Sequence, residues 1–228
     1  MKADLIYEQD SMMETETEGR RAPVPLVNYL LIALNAGVFA AGLILENTGA
    51  DASFLYRRGA LYAPLILNGE DHYRLLTSIF LHVDAAHLVN NMIVQFAGGE
   101  IAERNLGHLR YGLLYLLAGI GGNVVSVLAD RLSGNYGLSV GASGAVFGVT
   151  GALLYLILHA YLAKNGETAG ALKSLILRAA LMTVYLLYSG WENPSINQAA
   201  HVGGLVCGFL LTALFMRGRK EDLEPLLR

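Results

Sequence analysis

Long apolar stretches separated by polar segments set the pattern of this chain. The first runs from Pro25 to Leu45, 21 residues without a charged side chain. A helix needs about 20 apolar residues to cross the hydrocarbon core of a bilayer, so this stretch predicts a membrane-spanning helix. Five further stretches predict five more spans: Ala85–Ala102, Leu109–Leu128, Val140–His159, Leu172–Ser189 and Ala199–Met216. The predicted fold is an all-α membrane protein, a bundle of six transmembrane helices.

The polar segments divide the chain into a membrane domain and two tails. We expect residues 1–22 to form a polar cytoplasmic tail, residues 23–216 the six-helix domain and residues 217–228 a cytoplasmic C-terminal tail. The loop Glu46–Asp84 is the longest between two spans and contains apolar pieces of its own. We expect part of it to lie in the membrane interface beside the helices.

The distribution of Lys and Arg predicts the orientation. With the N-terminus in the cytoplasm, 12 of the 16 Lys and Arg residues lie on the cytoplasmic side and four lie outside. Cytoplasmic loops carry an excess of Lys and Arg, so both termini are expected inside the cell.

Composition and charge exclude other classes of function. The 228 residues are 15% charged and 54% hydrophobic, whereas soluble domains carry about 25% charged residues, which excludes a soluble α/β enzyme. A net charge of −3 provides no basic surface, and we expect no nucleic-acid partner. Cys207 is the single cysteine, which excludes an internal disulfide framework and a multi-thiolate metal site.

Polar residues inside the predicted second span are the first candidates for chemistry. His87 and Asn91 are four residues apart and therefore share one helical face, and His82 lies at or just before the start of that helix. Polar groups within a membrane are costly and often functional. The alternative is that these side chains only form hydrogen bonds to neighbouring helices or to loop backbone.

The predicted fourth span begins with a serine among small residues. Ser143 follows Gly141 and precedes Gly144 and Gly148, which form a GxxxG step. Such a step typically packs helices closely, and Ser143 could simply belong to that packing face. Alternatively, the unpaired N–H groups of a helix start could stabilise a developing oxyanion beside the hydroxyl.

The predicted sixth span contains a matching histidine. His201 precedes Gly204 and Gly208, a second GxxxG step that could press against the first. In the predicted orientation His201 and Ser143 both lie near the outer ends of their helices. A histidine within hydrogen-bond reach of a serine can remove its proton at neutral pH, which is the basis of nucleophilic acyl transfer. A zinc site made of His82, His87 and His201 is an alternative, although no carboxylate faces it from a span.

Together these stretches resemble the rhomboid family of intramembrane serine proteases. The resemblance covers roughly residues 25–216 and rests on three segments in family order: His82–Met92 (HVDAAHLVNNM), Gly141–Gly144 (GASG) and His201–Gly208 (HVGGLVCG). Two departures concern loop anchoring. The family often has Trp before Arg where this chain has Tyr73-Arg74, and some members separate the Glu and Arg that are adjacent in Glu103-Arg104.

The resemblance implies a role for each matching residue. Ser143 would be the nucleophile and His201 its general base, with Asn91 and His87 stabilising the oxyanion. The supporting residues would be Phe147, expected to pack on the catalytic histidine ring, and His82, Gly141, Gly204 and Gly208. No cofactor and no metal are implied.

The resemblance implies cleavage of membrane-protein substrates in or near their transmembrane segments within the lipid bilayer. We expect a multi-pass protein of a bacterial or archaeal cell membrane, with its active site open to the extracytoplasmic side. Two alternatives belong to other classes. A rhomboid-like pseudoprotease would bind membrane segments without cutting them, and a channel or transporter would place ionisable residues along a path across the membrane.

Overall fold

The fold is built of helices joined by a structured loop and one short strand pair. The computed structural model describes residues 24–46, 51–163 and 196–217, with residues 173, 177, 183 and 184. In chain order its elements are α1 (Leu26–Glu46), α2 (Ala52–Arg57), β1 (Leu61–Tyr62), α3 (Ala63–Leu67), α4 (Arg74–Thr77), a 3-10 turn (Ser78–Phe80), α5 (Ala85–Leu106), α6 (His108–Ser133), β2 (Leu138–Ser139), α7 (Ser143–Ala163) and α8 (Gln198–Phe215).

Four of these helices are long and apolar enough to cross a membrane. They are α1, α6, α7 and α8, and they correspond to the predicted first, third, fourth and sixth spans. Helix α5 forms where the second span is predicted and is 22 residues long, but its polar side chains keep it outside that apolar class. The predicted fifth span, Leu172–Ser189, lies outside the residues that the structure describes apart from four positions.

The long loop before α5 is folded. Strand β1 pairs antiparallel with β2, so that Leu61 lies opposite Ser139 just before α7. Arg74 is buried and donates hydrogen bonds to the carbonyl oxygens of Tyr56 at 2.7 Å and Ala60 at 3.0 Å. Its guanidinium also pairs with Asp71 at 2.9 Å. The loop is therefore anchored by Arg74 although a tyrosine, not a tryptophan, precedes it.

A buried carboxylate holds the start of α1. Glu103 of α5 accepts hydrogen bonds from the backbone N–H groups of Val27 at 2.9 Å and Asn28 at 2.6 Å. The first N–H groups of a helix have no partner within it, and a negative charge there complements the helix dipole. The Glu103 side chain is also 2.5 Å from Nδ1 of His108 at the start of α6, so one side chain joins α1, α5 and α6.

Helices α6, α7 and α8 form the centre of the part of the molecule that the structure describes. The main apolar core lies at this junction and includes the fully buried Tyr115, Ala145 and Leu156. Helix α8 packs along both α6 and α7. Apolar side chains on the outer faces, such as Leu132 and Leu210, remain exposed, as expected of helices that face lipid.

Candidate active site

Ser143 is the first residue of α7, and the segment before it has an unusual backbone. Gly141 has a φ of +129°, a conformation that side-chain-bearing residues rarely adopt. Its N–H donates to the carbonyl oxygen of Ser78 at 2.9 Å, and the N–H of the buried Ala142 donates to Nε2 of His82 at 3.5 Å. These contacts hold the backbone of the two residues that precede Ser143. The N–H of Ser143 lies in the first turn of α7, where backbone N–H groups have no partner within the helix.

His201 lies one turn into α8 and faces this serine. Its Nε2 is 2.8 Å from Oγ of Ser143, a hydrogen-bond distance. The imidazole is buried, and its Nδ1 has no partner among the described residues. For Nε2 to accept a hydrogen bond from the serine hydroxyl, the neutral ring carries its single proton on Nδ1. The pair therefore has the geometry of a hydroxyl and a base.

An aromatic ring lies flat against the histidine. The ring centroids of Phe147 and His201 are 4.4 Å apart and the planes differ by 17°. Phe147 is one helical turn after Ser143, so the helix that carries the hydroxyl also supplies this ring. Stacking limits rotation of the imidazole, and the face of an aromatic ring attracts a cation.

Direct backbone contact sets the distance between the two helices. A methyl group added at Gly204 would collide with the carbonyl oxygen of Gly144, and one added at Gly208 would collide with that of Gly148. The two GxxxG steps thus face each other, as the sequence predicts. The separation of Ser143 from His201 is accordingly determined by backbone atoms.

The polar residues of α5 lie beside this pair. The His87 ring packs on the Cα of Gly141, where an added Cβ would come within 2.8 Å of its Nε2. Asn91 follows one turn later and is buried, and its Nδ2 has no partner among the described residues. Asp84 caps the helix by accepting from the N–H of His87 at 2.7 Å, which gives this loop charge a structural role.

His82 lies in the loop just before α5. Its ring is 5.1 Å from the ring of His87, edge to face. Burial, with a smaller contribution from the nearby His87, lowers the pKa of His82 from 6.5 to about 4. His82 is therefore neutral at pH 7, and its Nε2 is able to accept from the backbone at Ala142.

The zinc alternative requires a cluster of metal-ligating side chains. Among the residues that the structure describes, no group of three or more His, Cys, Asp or Glu side chains is arranged to hold a metal ion. His201 is instead engaged by Ser143 and Phe147.

The residues that hold this site from outside are not among those that the sequence pattern predicts. Asn197 caps α8 and donates to the hydroxyl oxygens of Ser126 on α6 and Ser139 on β2. An asparagine directly before an apolar helix is an N-cap signal that could have been found. Its two serine partners are 71 and 58 residues away in sequence, and no local pattern indicates them.

Comparison with known proteins gives consistent matches. The family model described as the Rhomboid domain matches residues 69–218. The RHOMBOID-like protein 1 of Arabidopsis thaliana is 34% identical over 182 residues, which cover 79% of this chain and 44% of that protein. The rhomboid protease GluP of Bacillus subtilis (strain 168) is 33% identical over 211 residues, which cover 92% of this chain and 38% of that protein.

The relatives are longer than this chain and come from different kinds of organism. A third, the RHOMBOID-like protein 6, mitochondrial, of Arabidopsis thaliana, is 35% identical over 176 residues, 77% of this chain and 54% of that protein. The chain thus spans about half the length of these relatives, or less. Because they come from a plant and a bacterium, the expected restriction to bacteria or archaea has no support in them.

Proposed function

Since the chain belongs to the rhomboid family, we propose that it is an intramembrane serine protease that uses Ser143 and His201 as its catalytic residues. The observation that carries the proposal is the 2.8 Å contact between Ser143 Oγ and His201 Nε2. The proposed substrates are membrane proteins, cut in or near a transmembrane segment. The proposed orientation, with both termini in the cytoplasm, opens the site to the extracytoplasmic side.

In the acylation step, Ser143 Oγ attacks the carbonyl carbon of the scissile peptide while His201 Nε2 takes the hydroxyl proton. A tetrahedral intermediate forms with a negative oxygen. The C–N bond then breaks, the imidazolium gives its proton to the leaving amine, and an ester links the substrate's acyl group to Ser143.

In the deacylation step, water attacks the ester carbonyl while His201 Nε2 accepts a proton from that water. The second tetrahedral intermediate collapses, and the Ser143 oxygen leaves and takes the proton from the imidazolium. The carboxylic product departs and the free hydroxyl is restored. Each proton that His201 accepts is thus returned within the same half-reaction.

Three groups are proposed to stabilise the negative oxygen. They are the backbone N–H of Ser143, the side-chain amide of Asn91 and the imidazole of His87. The unpartnered Nδ2 of Asn91 supports this role, because a buried donor without a partner is free to meet the oxyanion. A helix start at Ser143 supplies a dipole of the matching sign.

The proposed dyad works without an acidic third member. In a soluble Ser-His-Asp triad the aspartate orients the histidine and stabilises the imidazolium. Here the stacked Phe147 ring is proposed to do both, by blocking rotation and by offering its π face to the cation. We expect slower turnover than in a soluble triad protease, because a cation–π contact is weaker than a buried ion pair.

Labelling with a fluorophosphonate probe tests the proposal. The probe forms a bond only with an activated serine, so the wild-type protein in detergent should be labelled while Ser143→Ala and His201→Ala are not. Ser133→Ala and His72→Ala are matched controls. Ser133 lies at the exposed end of α6 and His72 is exposed in the loop, so both variants should be labelled like the wild type.

Circular dichroism and thermal unfolding must show that every variant is folded. Cleavage of a reconstituted transmembrane substrate, lost in the same two variants, would extend the result from the probe to peptide bonds. A folded wild-type protein that is not labelled would contradict the proposal and favour a pseudoprotease that binds membrane segments without cutting them.

A further inference from the structure

Asn197 joins three segments of the site through one side chain. Its Oδ1 accepts from the N–H of Ala200 at 3.0 Å and thereby caps α8. Its Nδ2 donates to Oγ of Ser126 at 2.6 Å and to Oγ of Ser139 at 2.8 Å. Its backbone carbonyl accepts from the N–H of His201 at 3.2 Å. All hydrogen-bonding atoms of this amide are therefore engaged.

The two serines belong to the segments that surround Ser143. Ser139 lies four residues before Ser143, on the strand β2 that is paired to the outer loop. Ser126 is buried on α6, the third helix of the central group. The amide of Asn197 therefore connects the start of α8 both to β2, which precedes Ser143, and to the buried face of α6.

The glycine contacts alone do not prevent α7 and α8 from sliding past each other along the helix axis. Glycine faces let two helices approach closely, but they present a smooth surface along the helix axis. Van der Waals contacts resist separation of α7 and α8 more strongly than they resist axial sliding. Hydrogen bonds depend on both distance and angle, so those of Asn197 specify the axial position.

We propose that Asn197 is a positioning residue, which fixes the axial register of the His201 helix relative to Ser143 through its bonds to Ser126 and Ser139. This inference rests on the proposed function, because its effect is exerted through the Ser143–His201 pair. Misplacement of a catalytic group by about 1 Å can reduce rate about a hundredfold. Loss of the register should therefore lower the rate of the chemical step while probe binding is unchanged.

A simpler role, capping of α8 alone, makes a different prediction. Asn, Asp and Ser are about equally good N-caps. If capping were the whole role, Asn197→Ser and Asn197→Asp would both behave like the wild type. If Asn197 also fixes the axial register, the two variants should differ in rate. A serine at position 197 can cap α8, but its side chain is too short to reach the hydroxyls of Ser126 and Ser139. An aspartate at position 197 can cap α8 and also reach them, because both hydroxyls can turn and donate to its carboxylate.

The experiment measures the maximal inactivation rate and the apparent affinity of the fluorophosphonate probe. For Asn197→Ser we expect the maximal rate, measured well below the thermal midpoint of the variant, to fall about tenfold or more while the apparent affinity stays close to wild type. Asn197→Asp should keep a rate well above that of Asn197→Ser. The double variant Ser126→Ala/Ser139→Ala leaves the cap intact and should reproduce the loss seen in Asn197→Ser.

Ser133→Ala is the matched control for the serine deletions. Ser133 also lies on α6, but the bonds of its hydroxyl lie at its own helix end. The hydroxyl donates to the carbonyl of Asp130 at 3.3 Å and accepts from the N–H of Asn135 at 3.3 Å. Its rate should equal that of the wild type. If the wild type is labelled and Asn197→Ser is labelled at the same rate, the register role is overturned and the proposed function stands. A folded but unlabelled wild type would overturn both.

Discussion

At the scale of single residues, the imidazole of His201 lies beside the Ser143 hydroxyl with an aromatic ring stacked on its face and, among the described residues, no acidic partner at its Nδ1. His201 meets Ser143 on one edge and Phe147 on one face. The sequence predicts all three of these residues, since their spacing on two glycine-rich helices matches the rhomboid pattern. It does not predict that the ring of His87 lies on Gly141, because that contact depends on the positive φ of a loop residue.

Substitution of Phe147 by leucine should slow the proposed reaction without unfolding the protein. Leucine keeps most of the apolar volume but removes the flat π face from His201. Aromatic pairs and cation–π contacts contribute about 0.5–1.5 kcal/mol, so the maximal labelling rate should fall about two- to tenfold. Rates measured over a range of probe concentrations would show whether the loss lies in the chemical step.

Phe96→Leu is the matched control for that substitution. Phe96 also stacks on an aromatic ring, that of Tyr29 at 5.9 Å, but it lies on the exposed side of α5. Equal labelling rates in Phe147→Leu and Phe96→Leu would mean that the stack on His201 has no part in catalysis.

At the scale of helices, apolar length and small residues explain how much the sequence predicts. The predicted spans Pro25–Leu45, Leu109–Leu128 and Ala199–Met216 agree with α1, α6 and α8 to within a few residues. The predicted fourth span, Val140–His159, begins too early, because Gly141 breaks the helix and α7 starts at Ser143. The cap of α8 at Asn197 is a local signal in the sequence, but its bonds to Ser126 and Ser139 are not, since these serines are 71 and 58 residues away.

Gly208→Ala should separate α7 from α8. The added methyl group would collide with the carbonyl oxygen of Gly148, a backbone atom that cannot rotate away. Overpacking of this kind typically costs about 1–3 kcal/mol. We expect a lower thermal midpoint and a loss of probe labelling, because a wider spacing breaks the bond between His201 and Ser143.

Gly37→Ala provides the comparison, because a Cβ at Gly37 meets no heavy atom within 4 Å. That variant should be labelled normally and should be as stable as the wild type or more so, by up to about 1 kcal/mol of helix propensity. If Gly208→Ala matched it in both measurements, close backbone contact would not be what determines the helix spacing.

At the scale of the whole molecule, two buried charges connect parts that sequence patterns treat separately. Arg74 holds the outer loop together through the carbonyls of Tyr56 and Ala60, and Glu103 joins α1, α5 and α6. The sequence predicts that part of the loop lies beside the helices, but it does not predict the internal fold of the loop. Its helices are four to six residues long and depend on such long-range bonds, which local periodicity does not encode.

Glu103→Gln should destabilise the fold while sparing the chemistry of the site. A glutamine has one oxygen instead of two, so its amide N–H₂ would face a backbone N–H of α1 and leave a buried donor unpaired. Such a loss costs about 1–3 kcal/mol. The thermal midpoint should fall, and the labelling rate at temperatures well below it should stay near the wild-type value.

Glu100→Gln is the control, one turn away on the same helix. Glu100 pairs with Arg104 at 2.6 Å in a partly exposed position, and such pairs contribute about 0–1 kcal/mol. A midpoint that falls as much in Glu100→Gln as in Glu103→Gln would refute the particular importance of the carboxylate at the start of α1.

The backbone contact between α7 and α8 also has a consequence for the surrounding lipid. Helices tilt when a bilayer is thinner or thicker than their apolar length. With no compressible layer of side chains at their closest contacts, α7 and α8 would tilt as one body, and the distance from Ser143 to His201 would remain the same. Under the proposed function a substrate helix, by contrast, would have to move out of the surrounding lipid and into the bundle to reach them. Membrane thickness would then regulate the delivery of substrate and leave the bond-breaking step untouched.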